Sequence, residues 1–269
     1  MMIKVGLVIV SLAIVAALVG PAISPYDPAG QELSRRLEPP SLSHPFGLDE
    51  LGRDILARLL SGARISLLVG LAVVSVSSTI GMLLGSIAGY FGGRVDEILS
   101  RAIDILMAFP GLLLAIAMVA VLGPSLFNVV FALSLIGWVG YARLVRGQVL
   151  RARELEFVQA ARALGASTPR VLVRHVIPTT LPAVSVQATL GMGGAILAEA
   201  SLSFLGLGVQ PPTPSWGTML NYGRIHLLDA PHLTVFPGLA IAVLVLGFNF
   251  LGDGLRDALD PKAGRQVGR

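Results

Sequence analysis

The sequence predicts an all-α integral membrane protein with six spanning helices, and three observations predict it. Charge is scarce: Lys, Arg, Asp and Glu make up 13% of the 269 residues, against roughly 25% in a globular chain, while 54% are apolar. The charges are also clustered. Uncharged stretches of 22, 29, 38, 24 and 23 residues separate Lys4 from Asp27, Arg64 from Arg94, Asp104 from Arg143, Arg174 from Glu199 and Asp229 from Asp253, and a spanning helix needs about 20. Third, Gly123-Pro124-Ser125 sits near the middle of the 38-residue stretch. As one helix that stretch would run roughly 57 Å, nearly twice the ~30 Å hydrocarbon core, so it is two helices.

The first span covers about 3 to 20. Met1 to Val19 also reads as a signal peptide with Lys4 as its charged start, but Pro25 follows the small-residue site Ala22-Ile23-Ser24, and the run is already long enough to span. It is taken as an anchor. Residues 21 to 62 form a proline- and charge-rich extracytoplasmic segment, with a helix expected around Asp49 to Leu60 on the membrane surface. The second span runs from about 65 to 90 and repeats Ser77, Gly81, Gly85 and Gly89 at every fourth position. Such a ridge lets another helix approach closely, either within the chain or across a subunit interface. The remaining spans are expected at about 105–122, 126–146, 180–200 and 234–254. The chain thus divides into an anchor and outer segment (1–62), a five-helix core (63–260) and a tail (261–269).

With the N-terminus inside, 14 of the 20 Lys and Arg residues fall in cytoplasmic positions and six, including Arg53, Arg58 and Arg64, fall outside. The positive-inside rule then places both termini in the cytoplasm. The net charge of +4 mostly reflects this asymmetry against anionic membrane lipid and calls for no nucleic acid. The absence of cysteine removes thiolate metal sites and thiol catalysis. His44, His175, His226 and His232 are scattered without an i, i+4 pair, so no metal site is expected. No residue is read as catalytic. Lys4 and Lys262 are the only lysines and neither follows a glycine, so the chain lacks a P-loop and energy must enter from outside it.

A carrier driven by an ion gradient usually places ionisable groups at membrane depth, and Glu199 is the one candidate. Near the outer end of its span it is either solvated or locally hydrogen-bonded, or it lines a path. Asn249 and Phe250 face a path or a packed helix contact. Asp104 and Asp253, beside cytoplasmic arginines, read as simple ion-pair partners.

The cytoplasmic stretch Arg151 to Pro178 is too long for a tight turn. Phe157, Ala160, Ala161 and Leu164 fall on one helical face, with Glu156, Gln159 and Arg162 off it. Gly165 ends that helix, Thr168 caps a second with Pro169 at its first position, and Pro178 closes it. The apolar face of this hairpin is covered either by the protein's own spans or by another protein.

The run Glu156-Phe157-Val158-Gln159-Ala160-Ala161-Arg162-Ala163-Leu164-Gly165, followed by Arg174-His175-Val176-Ile177-Pro178, resembles the coupling motif of ABC importer permeases. Gln159 stands where that motif has Glu, His175 where it has Ile, and Ile177 where it has Leu. Further segments are similar to the C-type permease subunit of dipeptide, oligopeptide and nickel importers: His44 to Asp54, Gly62 to Leu67, Leu202 to Gly208, Pro214 to Gly217 and Gly252 to Pro261. The resemblance covers nearly the whole chain. It implies a type I ABC importer permease fold in the cytoplasmic (inner) membrane, and a peptide pathway shared with a second permease as a heterodimer. It further implies two cytoplasmic ATPase subunits that hold ATP and Mg, and an extracytoplasmic solute-binding protein. Glu156, Phe157, Gln159, Ala160, Ala161, Arg162, Gly165 and Pro178 are then the ATPase-coupling residues, and Glu199 and Asn249 are the pathway candidates. Nickel or another small solute is the alternative cargo, and an ATP-independent carrier the alternative mechanism.

Overall fold

The computed structural model describes residues 2–259; the expected tail at 261–269 lies outside them. The helices are α1 (Met2–Ile23), α2 (Ile55–Phe91), α3 (Gly93–Met107), α4 (Gly111–Leu122), α5 (Leu126–Ala152), α6 (Glu156–Ala163), α7 (Thr168–Val171), α8 (Ile177–Phe204), α9 (Trp216–Gly223) and α10 (His232–Leu259). Five helical runs are long and apolar enough to cross a bilayer, and the bent α3–α4 pair makes a sixth if it is one span.

The surface helix expected around Asp49 to Leu60 is not a separate element. The Asp49 carboxylate accepts from the Leu51 and Arg53 amides, holding those residues in a turn, and Asp54 caps a helix that starts at Ile55 and runs 37 residues without a break. Arg58 and Arg64, expected in the connection, therefore lie on α2. The Arg58 guanidinium sits 3.3 Å from Asp49 and donates to the Pro28 carbonyl. Arg64 donates to the carbonyls of Ala17 and Leu18 on α1. The boundary expected at residue 62 thus falls inside a helix.

The small-residue ridge of α2 is used within the chain. A methyl group on Gly81 would stand 2.7 Å from the Trp138 carbonyl, one on Gly85 2.5 Å from the Ala142 carbonyl, and one on Gly89 2.8 Å from the Arg146 carbonyl. Partner positions on α5 rise in step with those on α2, so the two helices run parallel and nearly backbone to backbone.

The expected third span is broken. Pro110 disfavours helical geometry at Phe109, and α3 and α4 meet at 82°. At 12 residues α4 is roughly 18 Å long, well short of a bilayer core. Asp96 on α3 pairs with Arg146, and Asp104 lies 3.2 Å from Arg143, so α3 leans along α5. The break expected at Gly123-Pro124-Ser125 is present: Gly123 has φ +92 and Ser125 caps α5 through the Asn128 amide.

The ends of α1 and α10 meet, since a methyl on Gly254 would run into Ile3. This end also carries the α5–α8 connection; the segment 24–54, Gly123 and α9 lie at the other. There α9 begins with a reciprocal cap between Ser215 and Thr218, and Trp216 donates to the Leu59 carbonyl at 2.9 Å.

Candidate functional site

The connection between α5 and α8 is a helix, a glycine turn and a helix. Gly165 has φ +80, its amide bonds the Arg162 carbonyl and the Ala166 amide bonds the Ala161 carbonyl. This double bond pattern terminates α6 and needs a left-handed residue at its turn, which glycine adopts without strain. The second half differs from expectation. Ser167, not Thr168, precedes the first turn, and its side chain makes no cap bond. Pro178 does not close the helix. A π turn over Leu172–Val176 widens the helix, with the Ile177 amide bonded to the Leu172 carbonyl, and the chain passes straight into α8. The proline ring then falls in the first turn of the new register, where its missing N–H costs nothing.

Val158 anchors the hairpin. It is fully buried in one cluster with Val145, Val149 and Ala152 of α5, Val171 and Val176 of the second arm, and Val184 of α8. Phe157 and Leu164 face outward, 47% and 89% exposed, as does Ala160, while Ala161 is half-buried. The stripe expected from the sequence and the face that packs inward are therefore different. Val158 was missed because it lies beside a four-residue stripe; its spacing of three from Ala161 is the signal that marked a second, narrower face. Glu156 and Gln159 are exposed. Arg162 stretches over the ring of Tyr90 at the end of α2, 4.8 Å from its centroid.

Glu199 and Asn249 lie elsewhere. Glu199 is fully buried, so of the alternatives open for it at the span end it is locally hydrogen-bonded and not solvated. Its Oε1 accepts from Ser203 Oγ at 2.6 Å, while Oε2 and the buried Ser66 hydroxyl lack protein partners among the described residues. Asn249 is half-buried in the contact of α10 with α8, where a methyl on Gly193 would lie 3.6 Å from its Oδ1. Asp253 is exposed and makes no ion pair among the described residues.

A cavity of about 260 Å³ opens between α2, α4, α5 and α8, lined by Ser77, Leu112, Ile136, Tyr141, Gln187 and Ala195 among others. Neither Glu199 nor Asn249 borders it. The Tyr141 hydroxyl donates to the Gln187 carbonyl at 3.4 Å. Its walls come from four separated helices, so spacing along the chain carried no sign of it; the one hint was Gln187, an exposed amide within an uncharged span.

At the opposite end, the Asp49, Arg53 and Arg58 side chains form a buried charge network. Glu50 joins it through Arg53 at 2.8 Å, yet burial, followed by the nearby Asp49 charge, raises its pKa above the usual 4.5.

Residues 81–265 match the family model described as binding-protein-dependent transport system inner membrane component, and residues 2–40 match the N-terminal transmembrane domain of oligopeptide transport permease C. The chain is 48% identical to a dipeptide transport system permease protein of Alkalihalophilus pseudofirmus over 96% of its own length and 85% of the relative's. It is 49% identical to a glutathione transport system permease protein of Escherichia coli, covering 94% and 84%. A probable D,D-dipeptide transport system permease protein of Escherichia coli K12 is 45% identical, covering 96% and 86%. Among solved structures, an inward-facing form of the MetNI methionine ABC transporter shares the fold, with TM-score 0.59 and 19% identity over 76% of this chain and 96% of that one. The chain therefore belongs to the family of binding-protein-dependent transport system inner membrane components, the multi-pass permeases of ABC importers.

Proposed function

We propose that this chain forms half of the membrane pathway of a peptide importer and pairs with a second, different permease. Two cytoplasmic ATPase subunits holding ATP and Mg drive it, and an extracytoplasmic binding protein delivers the solute. Peptide cargo is supported by relatives named for dipeptide, D,D-dipeptide and glutathione transport, and these favour it over nickel. The distribution of Lys and Arg supports cytoplasmic termini, with the hairpin on the same side.

The observation that carries the reading is the outward apolar face of the hairpin. Phe157, Ala160 and Leu164 stand exposed on an element whose own packing is already completed by Val158. An ATPase cleft is the proposed cover, with the exposed Glu156 and Gln159 beside it. Closure of the ATPase pair moves the two hairpins, and the π turn into α8 passes that motion to the spans without a flexible joint. The cavity beside Ser77, Tyr141 and Gln187 is the proposed solute path; Glu199 and Asn249, the candidates from the sequence, do not border it.

The test uses the whole importer. Ala160→Trp adds bulk to the exposed face and Leu164→Asp adds charge, so each weakens the contact by roughly 1 to 3 kcal/mol or more. Both variants still insert and pair, but the ATPase no longer copurifies and ATP-driven uptake falls. Normal ATPase recovery and uptake in both would overturn the coupling assignment.

A further inference from the structure

The hairpin is attached to the bundle at more than its two chain connections. Its second arm continues into α8 through the π turn, and Val158 joins its first arm to Val149 and Ala152 at the end of α5. Two arginines reach from the connection to α2 as well. Arg153 Nη1 donates to the Gly89 carbonyl at 3.2 Å, and the Arg162 guanidinium lies 4.8 Å above the Tyr90 ring. Gly89 and Tyr90 are themselves fixed, because Gly89 is packed on Arg146 and Val149 of α5. Immediately beyond them the chain turns through Gly92 and Gly93, both at positive φ, so α2 has no helical continuation past this point to hold it.

We infer that Tyr90 is a positioning residue: by receiving Arg162 on its face it locks the hairpin to α2, so that α2, α5, the hairpin and α8 move as one body. This rests on the coupling reading of the hairpin. A guanidinium over an aromatic face is held by the ring's quadrupole, which neither an aliphatic side chain nor the phenol hydroxyl alone supplies. Arg162, placed among the ATPase-coupling residues by the motif, then works inward. The contact joins the first arm to α2, the helix that borders the cavity through Val73, Val74 and Ser77. Displacement of the hairpin thus reaches three walls of the cavity together, and without the clamp the first arm of the hairpin shifts against the packed ends of α2 and α5.

The experiment compares Tyr90→Leu, Tyr90→Phe and Leu164→Asp in the complete importer reconstituted in vesicles. It records ATPase recovery, ATP hydrolysis and solute uptake for each. Tyr90→Leu retains the ATPase and hydrolyses ATP, but uptake per ATP falls roughly two- to fivefold, the change in equilibrium that loss of one exposed cation–π contact produces. Tyr90→Phe, which keeps the ring, retains the wild-type ratio. An unchanged ratio in Tyr90→Leu overturns the clamp, as does equal impairment of Tyr90→Phe. Loss of the ATPase in Tyr90→Leu overturns it too, by placing Tyr90 in the docking contact itself. Leu164→Asp separates the two readings: ATPase recovery and uptake left intact in it, as in Ala160→Trp, overturn the docking assignment, whatever Tyr90 does.

Discussion

Arg64 on α2 supplies the hydrogen bond that Pro21 cannot make in α1. In an unbroken helix the amide of residue 21 would bond the carbonyl of Ala17, but proline has no N–H. The Arg64 Nε–H donates to that carbonyl, and Nη2 donates to Leu18 O at 2.8 Å. A charged side chain in the third turn of a spanning helix is thereby matched to the carbonyl that Pro21 leaves open, and the anchor helix is fastened to the core.

This pairing predicts coupling between two substitutions. Arg64→Ala leaves a buried carbonyl unpaired and lowers the stability of the purified permease by roughly 1 to 3 kcal/mol. In a Pro21→Ala background α1 closes its own bond, and the same Arg64→Ala change costs markedly less. Equal costs in both backgrounds, measured by unfolding in detergent, would show that the orphan carbonyl is irrelevant.

Along the α2–α5 contact, Gly81→Leu forces side-chain carbons into the Trp138 carbonyl and is expected to destabilise by about 3 kcal/mol or more. A methyl on Gly140 meets nothing within 4 Å inside the chain. Gly140→Ala is therefore expected to leave the chain's own stability unchanged or slightly raised. Yield and melting temperature of the two variants report the difference.

For Glu199, Glu199→Gln keeps an acceptor for Ser203 Oγ and the same shape, so assembly and uptake stay near wild type. Glu199→Leu strips the Ser203 hydroxyl of its partner and adds to the unpaired Ser66, costing roughly 1 to 3 kcal/mol. Abolished uptake in Glu199→Gln with normal assembly and melting would instead place this carboxyl in the path.

At Gly165 the space is open, so any penalty is in the backbone. Gly165→Val is strained at φ +80 by roughly 1 to 2 kcal/mol, misdirects α7 and reduces ATPase recovery. Gly165→Asn, which tolerates left-handed geometry, restores most of it. Equal recovery in the two variants would argue against a left-handed requirement.

Much of the fold was legible because a bilayer imposes one demand at every depth: uncharged stretches long enough to bury their own backbone. The split at Gly123 and the stop at Gly165 were legible for a local reason, the dihedral each requires. What escaped was tertiary. The outward face of Asp49 to Leu60 looked like a surface helix until Asp54 was seen capping a single long α2. The ridge at Gly81 and Gly85 announced a close neighbour but not which one. For Glu199 solvation, a local hydrogen bond and a path-lining role stayed open, because its position along the span said nothing of the helices packed around it. At the hairpin, Phe157, Ala160 and Leu164 were legible as one helical face from their spacing, while Val158 and Tyr90 only acquire meaning once α5 and α2 end beside it.

The parallel contact of α2 with α5 also constrains how the protein is made. Ser77 donates to the carbonyl of Ser134, 57 residues later in the chain, and at roughly 5 to 20 residues per second α5 is synthesised about 3 to 11 s after its partner. Throughout that interval α2 enters the membrane with a bare glycine groove, open to whichever helix arrives first.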